Sequence, residues 1–336
     1  RQGLAATGGL PELSATLAKL QQFAGDLPGA RTTLAAAIER GKADDSSLLV
    51  QAADVALAAG DAESGLQLAE RAIRIEPDAL RTRITLVDAC LGVGDAARAD
   101  ALCTAILADF PDEPMLVSRQ ATAWRLLGDP RYQQVYDYPR HVRAYQIETP
   151  PGWPSLAAYL ADLSKALLSV HVFATHPFDQ SLRGGSQSAE SLTDSSDPAL
   201  RAFFTAIDAP IRQHMAHLYE NAGGLGRPRA DDYRFNGVWS VFLRPNGFHV
   251  DHVHPAGWIS SAFYVDVPAA PADDPRAGWI KFGEPGIRTR PGLEAEHFVE
   301  PRPGTLVLFP SYMWHGTVPF RTGERRLTIA FDVQPV

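Results

Sequence analysis

The sequence predicts an α+β chain: a helical array in the N-terminal part, then an antiparallel β domain, a sandwich or small barrel with flanking helices. Three observations predict it. Gly-Asp recurs as Gly60-Asp61, Gly94-Asp95 and Gly128-Asp129, each 34 residues after the last. Two amphipathic stretches, "LAAYLADLSKALLSVHVF" and "DPALRAFFTAIDAPIRQHMAHLYE", then read as long helices. From Tyr233 onward, short segments rich in β-branched and aromatic residues alternate with Gly and Pro turns, with no long helix between them. At 336 residues and 45% apolar content, the chain has material for two domains and at least one sizeable core.

The 34-residue period is the mark of paired helices stacked side by side, with small residues at the turn and proline ending the second helix. Pro77 and Pro111 share the spacing, closing "RIEP" and "ADFP". In "DAESGLQLAERAIRIEPDA" the residues Leu66, Ala69, Ala72 and Ile73 fall at helical spacing; the counterpart "DAARADALCTAILADFPDE" places Asp100, Cys103, Ile106 and Leu107 there. These units resemble tetratricopeptide repeats, two of them clear between roughly 47 and 113 and a third beginning before Gly128, although the bulky aromatic positions usual in such repeats are weak. "ELSATLAKLQQFAG" and "ARTTLAAAIERG" read as a further or capping pair. Repeats bury one another's faces, so one continuous layer is expected. It would serve a protein partner, a homo-oligomer, or only as a scaffold. Cys90 and Cys103, the only cysteines, are expected as reduced core residues rather than a disulfide or metal pair.

Acidic residues outnumber basic ones 39 to 31, for a net charge of −8, which argues against broad nucleic-acid binding. No apolar run has the length of a membrane span, and the displayed start "RQGLAATGG" lacks a signal-peptide pattern, so cytoplasmic localisation is the expectation. The boundaries expected are a repeat domain over 1–135, a linker over 136–160 marked by Pro, Tyr and charged residues, and the β domain over 161–336.

Between the two long helices lies "ATHPFDQSLRGGSQSAESLTDSSD", polar but furnished with Arg183 and Gln187, which are candidates for the mouth of a ligand site. "NAGGLGRP" follows a helix rather than a strand, so its Gly223-Gly224 pair is expected to make a turn rather than cradle a phosphate. The densest chemistry is "HVDHVHP", residues 249–255, which offers two overlapping pairs, His249 with Asp251 and His252 with His254. On a strand either pair would present two ligands to one face, but the parities differ, and the local pattern alone leaves both open. His315, beyond the apolar run Leu306 to Phe309, is the candidate third ligand, and three ligands leave positions for oxygen and a co-substrate. In "GERRLTIAFDV" the residues Arg326, Thr328 and Ala330 share a strand face, from which the guanidinium could hold a carboxylate and Thr328 add a hydroxyl contact.

Here "HVHPAGWISSAFYV", "FPSYMWH", "RRLTIAFDV" and the upstream "THPFDQSLRGGSQS" together resemble the Fe(II)- and 2-oxoglutarate-dependent oxygenases, in a bacterial and phage-type group marked by H-x-H-P…S-G-x-Y-Y. Ser261 stands for its Gly and Phe263 for one Tyr. The likeness spans 233–334, about 160 residues with the upstream block, and implies a double-stranded β-helix of jelly-roll or cupin type. It implies metal ligands His252, His254 and His315, with Fe(II) and 2-oxoglutarate as cofactors. It also implies an Arg326 contact to the far carboxylate of the oxoacid. His254 stands where the family usually has a carboxylate, so Asp251, turned inward by a bulge, is kept as the main substitute ligand and His249 as a lesser one. Tyr264, Asn236 and Ser260 are further candidates near the co-substrate, and Trp258 is a candidate wall of the substrate site. The reaction implied is hydroxylation of a peptide or small molecule with oxidative decarboxylation of 2-oxoglutarate. The alternatives are a three-histidine metal oxygenase that needs no oxoacid, with Arg326 anchoring substrate, and a non-catalytic repeat adaptor that only binds a ligand.

Overall fold

The computed structural model describes residues 11–41, 45–111, 113–173, 175, 180–222, 229–321 and 323–336. The chain divides into two compact units, one of Arg1–Tyr132 with Ile287–Leu293, the other of Gln133–Gly286 with Glu294–Val336.

The first unit is built from α1 (Pro11–Phe23), α2 (Leu27–Arg40), α3 (Ser46–Ala58), α4 (Ala62–Ile75), α5 (Leu80–Val93), α6 (Ala96–Asp109) and α7 (Pro114–Leu127), each packed on the next. The recurring Gly-Asp pair has a mechanical explanation. Gly60, Gly94 and Gly128 take left-handed φ of 85°, 89° and 67°, the conformation that ends a helix and that glycine adopts without a Cβ penalty. The aspartate that follows then caps the next helix. Asp61 accepts from Ser64 N, Asp95 from Arg98 N and Asp129 from Arg131 N, an N-cap worth about 1 kcal/mol each. Pro77 and Pro111 lie just past α4 and α6, where the missing N–H forbids another turn.

The core of this unit is made largely of small side chains: Ala53, Ala69, Ala89, Ala99 and Ala123 pack with Leu86, Val87, Leu91, Ile106 and Leu116. Cys90 and Cys103 are fully buried free thiols within it, and burial pushes them up to about 11 and about 12, which makes them poor nucleophiles. One charged pair is buried too. Arg119 donates from Nε to Asp88 Oδ1 at 2.6 Å and from Nη2 to Oδ2 at 2.9 Å, a two-pronged contact between α7 and α5. The segment Ile287–Leu293, remote in sequence, completes the unit. Ile287 packs on the alanine-rich core, Arg290 N donates to Leu91 O at 3.1 Å, and Arg288 Nε donates to Ala58 O at 3.0 Å.

The short α8 (Arg131–Val135) spans the point where the chain passes from one unit to the other. The second unit continues with α9 (Tyr138–His141), β1 (Arg143–Gln146), α10 (Leu156–Ser169), β2 (Leu182–Gln187) and α11 (Pro198–Ala222). It ends in a run of strands: β3 (Tyr233–His249), β4 (Ile259–Asp266), β5 (Ile280–Phe282), β6 (His297–Val299), β7 (Thr305–Pro310), β8 (His315–Thr317) and β9 (Arg326–Pro335). They make a six-stranded sheet in the order β1-β7-β4-β9-β3-β2 and a three-stranded sheet in the order β6-β5-β8, with every pairing antiparallel. The pairing gives two sheets rather than one closed ring of strands. The stretch 136–160, expected as a linker, contributes β1 to the edge of the large sheet.

Alternation along β9 assigns its two faces. Leu327, Ile329, Phe331 and Val333 enter the main core with Ile259 and Phe263 of β4, against Leu163 and Leu167 of α10 and Phe203, Ile207 and Ile211 of α11. The intervening Arg326, Thr328, Ala330 and Asp332 line a cavity on the other face. Among the described residues no helix is long and apolar enough to cross a membrane.

Candidate metal centre and its cavity

His252 and His254 lie beyond the end of β3, in the irregular stretch leading to β4, so strand parity does not govern them. Backbone pairing places each ring instead. His252 N donates to His315 O at 2.9 Å and His315 N returns a bond to His252 O at 3.0 Å, while His254 N donates to Ser311 O at 2.9 Å. The start of β8 is itself held from behind, because Tyr136 Oη accepts from Trp314 N at 3.0 Å.

The three imidazoles converge, with one ligand nitrogen from each lying within 4.8 Å of the others. Their outer nitrogens fix the tautomers. His252 Nδ1 lies 2.8 Å from Val250 O and His315 Nδ1 lies 2.9 Å from Met313 O; a carbonyl can only accept, so each Nδ1 carries the hydrogen. His254 Nδ1 faces both carboxylate oxygens of Asp332, at 2.7 and 2.8 Å, and donates likewise. All three Nε2 atoms are therefore left with lone pairs, and those of His252 and His254 stand only 3.1 Å apart. Two lone pairs so close repel unless a proton or a metal ion lies between them. Nitrogens about 2.1 Å from one ion and at right angles would be about 3.0 Å apart, so the spacing fits a divalent metal. Burial, reinforced by His254, pushes His252 down to about 3, and burial with His252 and His254 drives His315 well below the usual histidine range. At neutral pH both rings are neutral and ready to ligate.

The two alternative ligands sit elsewhere. Asp251 accepts from Lys281 Nζ at 2.9 Å, and Lys281 also reaches Glu284 Oε2 at 2.5 Å, so this carboxylate is held in an ion pair and is not among the converging groups. His249 ends β3 with Nδ1 2.9 Å from Ser181 Oγ, and its ring stacks on that of His252 at 5.8 Å; it lines the cavity beside the cluster and is not among the converging groups.

The histidines open on a cavity of about 620 Å³. Arg326 lines its wall, only 3% exposed, with Nη1 donating to Gly278 O at 2.5 Å. Its Nε and the neighbouring Tyr264 hydroxyl are buried without a hydrogen bond of proper geometry, although the guanidinium lies 5.0 Å from the Tyr264 ring centre. Burial works against the Arg326 charge. A buried cation beside orphaned donors suits a carboxylate ligand. Thr328 stands next to it on the same strand face and also lines the cavity.

Arg183 and Gln187 on β2 line the cavity as well, Arg183 braced by Nη1 bonds to Gln180 O at 2.7 Å and Leu182 O at 2.8 Å. Four other sequence candidates do not line it. Asn236 is exposed and donates from Nδ2 to Ala256 O at 2.9 Å, pinning the histidine loop. Ser260 is fully buried, bonded to Ser311 Oγ at 2.8 Å and Asp332 Oδ1 at 2.7 Å. Trp258 packs in the main core, 5.5 Å from the Tyr219 ring, and Tyr264 lies beneath Arg326 rather than on the surface of the cavity. The Gly223-Gly224 turn lies outside the described residues.

Sequence reasoning missed Trp239, which stacks on His254 at 5.8 Å, and Asp332. The signal for Asp332 was present, since it continues the face of Arg326, Thr328 and Ala330 by two residues.

Residues 237–332 match a family model described as "Putative 2OG-Fe(II) oxygenase", and residues 56–120 match one described as "Tetratricopeptide repeat". No curated protein matches the chain. Among solved structures, the chain is similar to a prolyl-4-hydroxylase from Pseudomonas putida at 18% identity and TM-score 0.40, covering 60% of this chain and 97% of that one. It is similar to a prolyl hydroxylase from Trichoplax adhaerens, in complex with a hypoxia inducible factor peptide fragment, at 12% identity and TM-score 0.40, covering 63% and 93%. A tetratricopeptide protein from Thermus thermophilus matches at 16% identity and TM-score 0.34, covering 37% and 69%. The chain thus joins an N-terminal tetratricopeptide-like repeat domain to a 2OG-Fe(II) oxygenase-like domain that carries a cluster of three histidines placed so that it could hold a metal ion.

Proposed function

We propose that the chain is a metal-dependent oxygenase working from the centre formed by His252, His254 and His315. The observation that carries this reading is the set of three Nε2 lone pairs turned to one point, each fixed by an acceptor behind its ring. Fe(II) held there would supply oxygen activation, which no side chain can. The protein's own part is to keep three neutral nitrogens on one side, leaving the cavity side open, and to hold the organic reactant in that cavity.

A second, finer reading is supported by Arg326: 2-oxoglutarate is the co-substrate, with its far carboxylate on the guanidinium and Thr328. Its oxidative decarboxylation to succinate and carbon dioxide would accompany hydroxylation of the substrate. The two antiparallel sheets would then be the halves of a double-stranded β-helix. An all-histidine ligand set favours the oxoacid-independent form of the reaction, in which Arg326 anchors the substrate itself. Arg183 and Gln187, which line the cavity from β2, would contact substrate in either case. The repeat domain would present a surface to a protein partner.

The test is oxygen consumption by the iron-loaded chain with and without 2-oxoglutarate, with succinate measured in parallel. Uptake with equimolar succinate supports the oxoacid reading, and metal-dependent uptake of oxygen without succinate supports the independent one. A chain that binds no divalent metal refutes both.

A further inference from the structure

The three histidines are not supported alike. Behind His252 and His315 stand neutral carbonyls, those of Val250 and Met313, whereas behind His254 stands a carboxylate in contact through both oxygens. That carboxylate is itself buried, 7% exposed, and fixed by Ser260 Oγ at 2.7 Å. Ser260 in turn bonds Ser311 Oγ, and Ser311 O accepts the backbone N–H of His254. Three residues from three separate chain segments therefore hold one imidazole, and Trp239 stacks on that ring as well. Gly257 shows how tightly the loop is laid over this network: a Cβ there would stand 2.3 Å from Ser311 Oγ and 3.2 Å from Asp332 Cγ.

A negative group donating through an imidazole raises the basicity of the far nitrogen and locks its orientation. Resting on the metal-centre reading above, we propose that Asp332 is the positioning residue of the centre: it orients His254 and delivers through that ring the negative charge that a directly ligating carboxylate would bring. His254 and Asp332 act as one composite ligand. The ion touches nitrogen, and the charge lies one ring further out.

The experiment is Co(II) binding to the full-length metal-free chain, measured by chelator competition for tight variants and by direct titration for weak ones. Asp332→Asn preserves shape and an acceptor but removes the charge; it weakens Co(II) roughly tenfold, and Asp332→Ala weakens it up to about hundredfold, the range for such supporting groups. Because the effect passes through His254, Asp332→Asn changes affinity by less than about twofold in a His254→Ala background. Binding by Asp332→Asn within about twofold of the unaltered chain overturns the proposal. So does an equal loss in both backgrounds, which would mark Asp332 as a ligand in its own right or as a packing residue. Should the Asp332 variants fail to fold by circular dichroism, Ser260→Ala loosens the carboxylate while leaving every proposed ligand in place. It must then weaken Co(II) by about two- to fivefold, and unchanged binding overturns the proposal. Failure of the unaltered chain to bind Co(II) is a different result, since it removes the metal centre itself.

Discussion

Replacing Arg326 with methionine should weaken anion binding and strengthen the empty fold at once. The guanidinium is 3% exposed and has one bond, to Gly278 O, and among the described residues no carboxylate stands within ion-pair distance of it. Without a ligand it is a buried cation compensated only by that bond and by the face of the Tyr264 ring 5.0 Å away. Exchanging such a group for an apolar side chain of similar volume is worth about 1 to 4 kcal/mol, against roughly 1 kcal/mol for the lost bond to Gly278 O. The net gain of about 0 to 3 kcal/mol corresponds to a rise in Tm of up to roughly 12 °C for a unit of this size. With a carboxylate bound, the sign reverses. Two charge-assisted hydrogen bonds of at least about 1.5 kcal/mol each disappear, so binding of 2-oxoglutarate falls at least about hundredfold. The assays are thermal denaturation of the metal-free chain and calorimetric titration of 2-oxoglutarate into the Zn(II)-loaded chain without oxygen. A variant that melts several degrees lower, or binds the oxoacid within about threefold of the unaltered chain, would falsify this account of Arg326.

Three further outcomes follow from the structure. His315→Ala, which removes one of three converging nitrogens, should cut Co(II) affinity by at least about hundredfold, read in the visible absorption bands of the bound ion. Asp54 on α3 is pushed by burial up to about 6, against the pull of Arg81, from an ordinary value of 3.8. The folded state then takes up this proton more readily than the unfolded state, so this group favours stability as pH falls from 7 through 6 towards 4; Asp54→Asn should flatten that part of the profile in denaturant titrations. Gly94→Ala forces a side chain to φ 89° and brings Cβ to 3.0 Å from Arg290 O, which should cost roughly 1 to 2 kcal/mol by urea unfolding; an unchanged midpoint would show that the turn relaxes freely.

What the sequence made legible follows from how local the cause was. The helical array could be read because Gly94-Asp95 is a helix stop and a helix start in adjacent residues, a mechanism that needs no partner. The convergence of His252 and His315 was legible only through the motif order, since the bridge between them joins segments some 60 residues apart. β2 was hidden: "LRGGSQ" has the composition of a loop, and it becomes a strand because the edge of β3 offers its backbone a ladder. Ser260, Tyr264 and Asn236 were placed near the co-substrate by residue type, but a hydroxyl or amide acts on whatever the packing brings to it. Ser260 found Asp332, and Asn236 found the carbonyl of Ala256. The seven residues Ile287–Leu293 carry no pattern that announces membership of the repeat unit, because their bonds to Leu91 and Ala58 use backbone groups available to any sequence.

β9 sets the relation between the two charged ends of the cavity. Arg326 and Asp332 lie on the same strand face, six residues apart, which is about 20 Å along an extended chain. Their intervening neighbours on that face, Thr328 and Ala330, are small and leave the space open. The cation and the carboxylate thus stand at opposite ends of one wall, with His254 held at the carboxylate end and the orphaned donors at the other. The opposite face of the strand is locked into the core by Leu327, Ile329, Phe331 and Val333, and a slip of one residue would turn both charges into that apolar core and all four apolar side chains into the cavity. The hydrophobic packing against α10 and α11 therefore also fixes the distance between metal support and anion anchor. The separation of the guanidinium from the histidines is a consequence of the core, not of the cavity residues themselves.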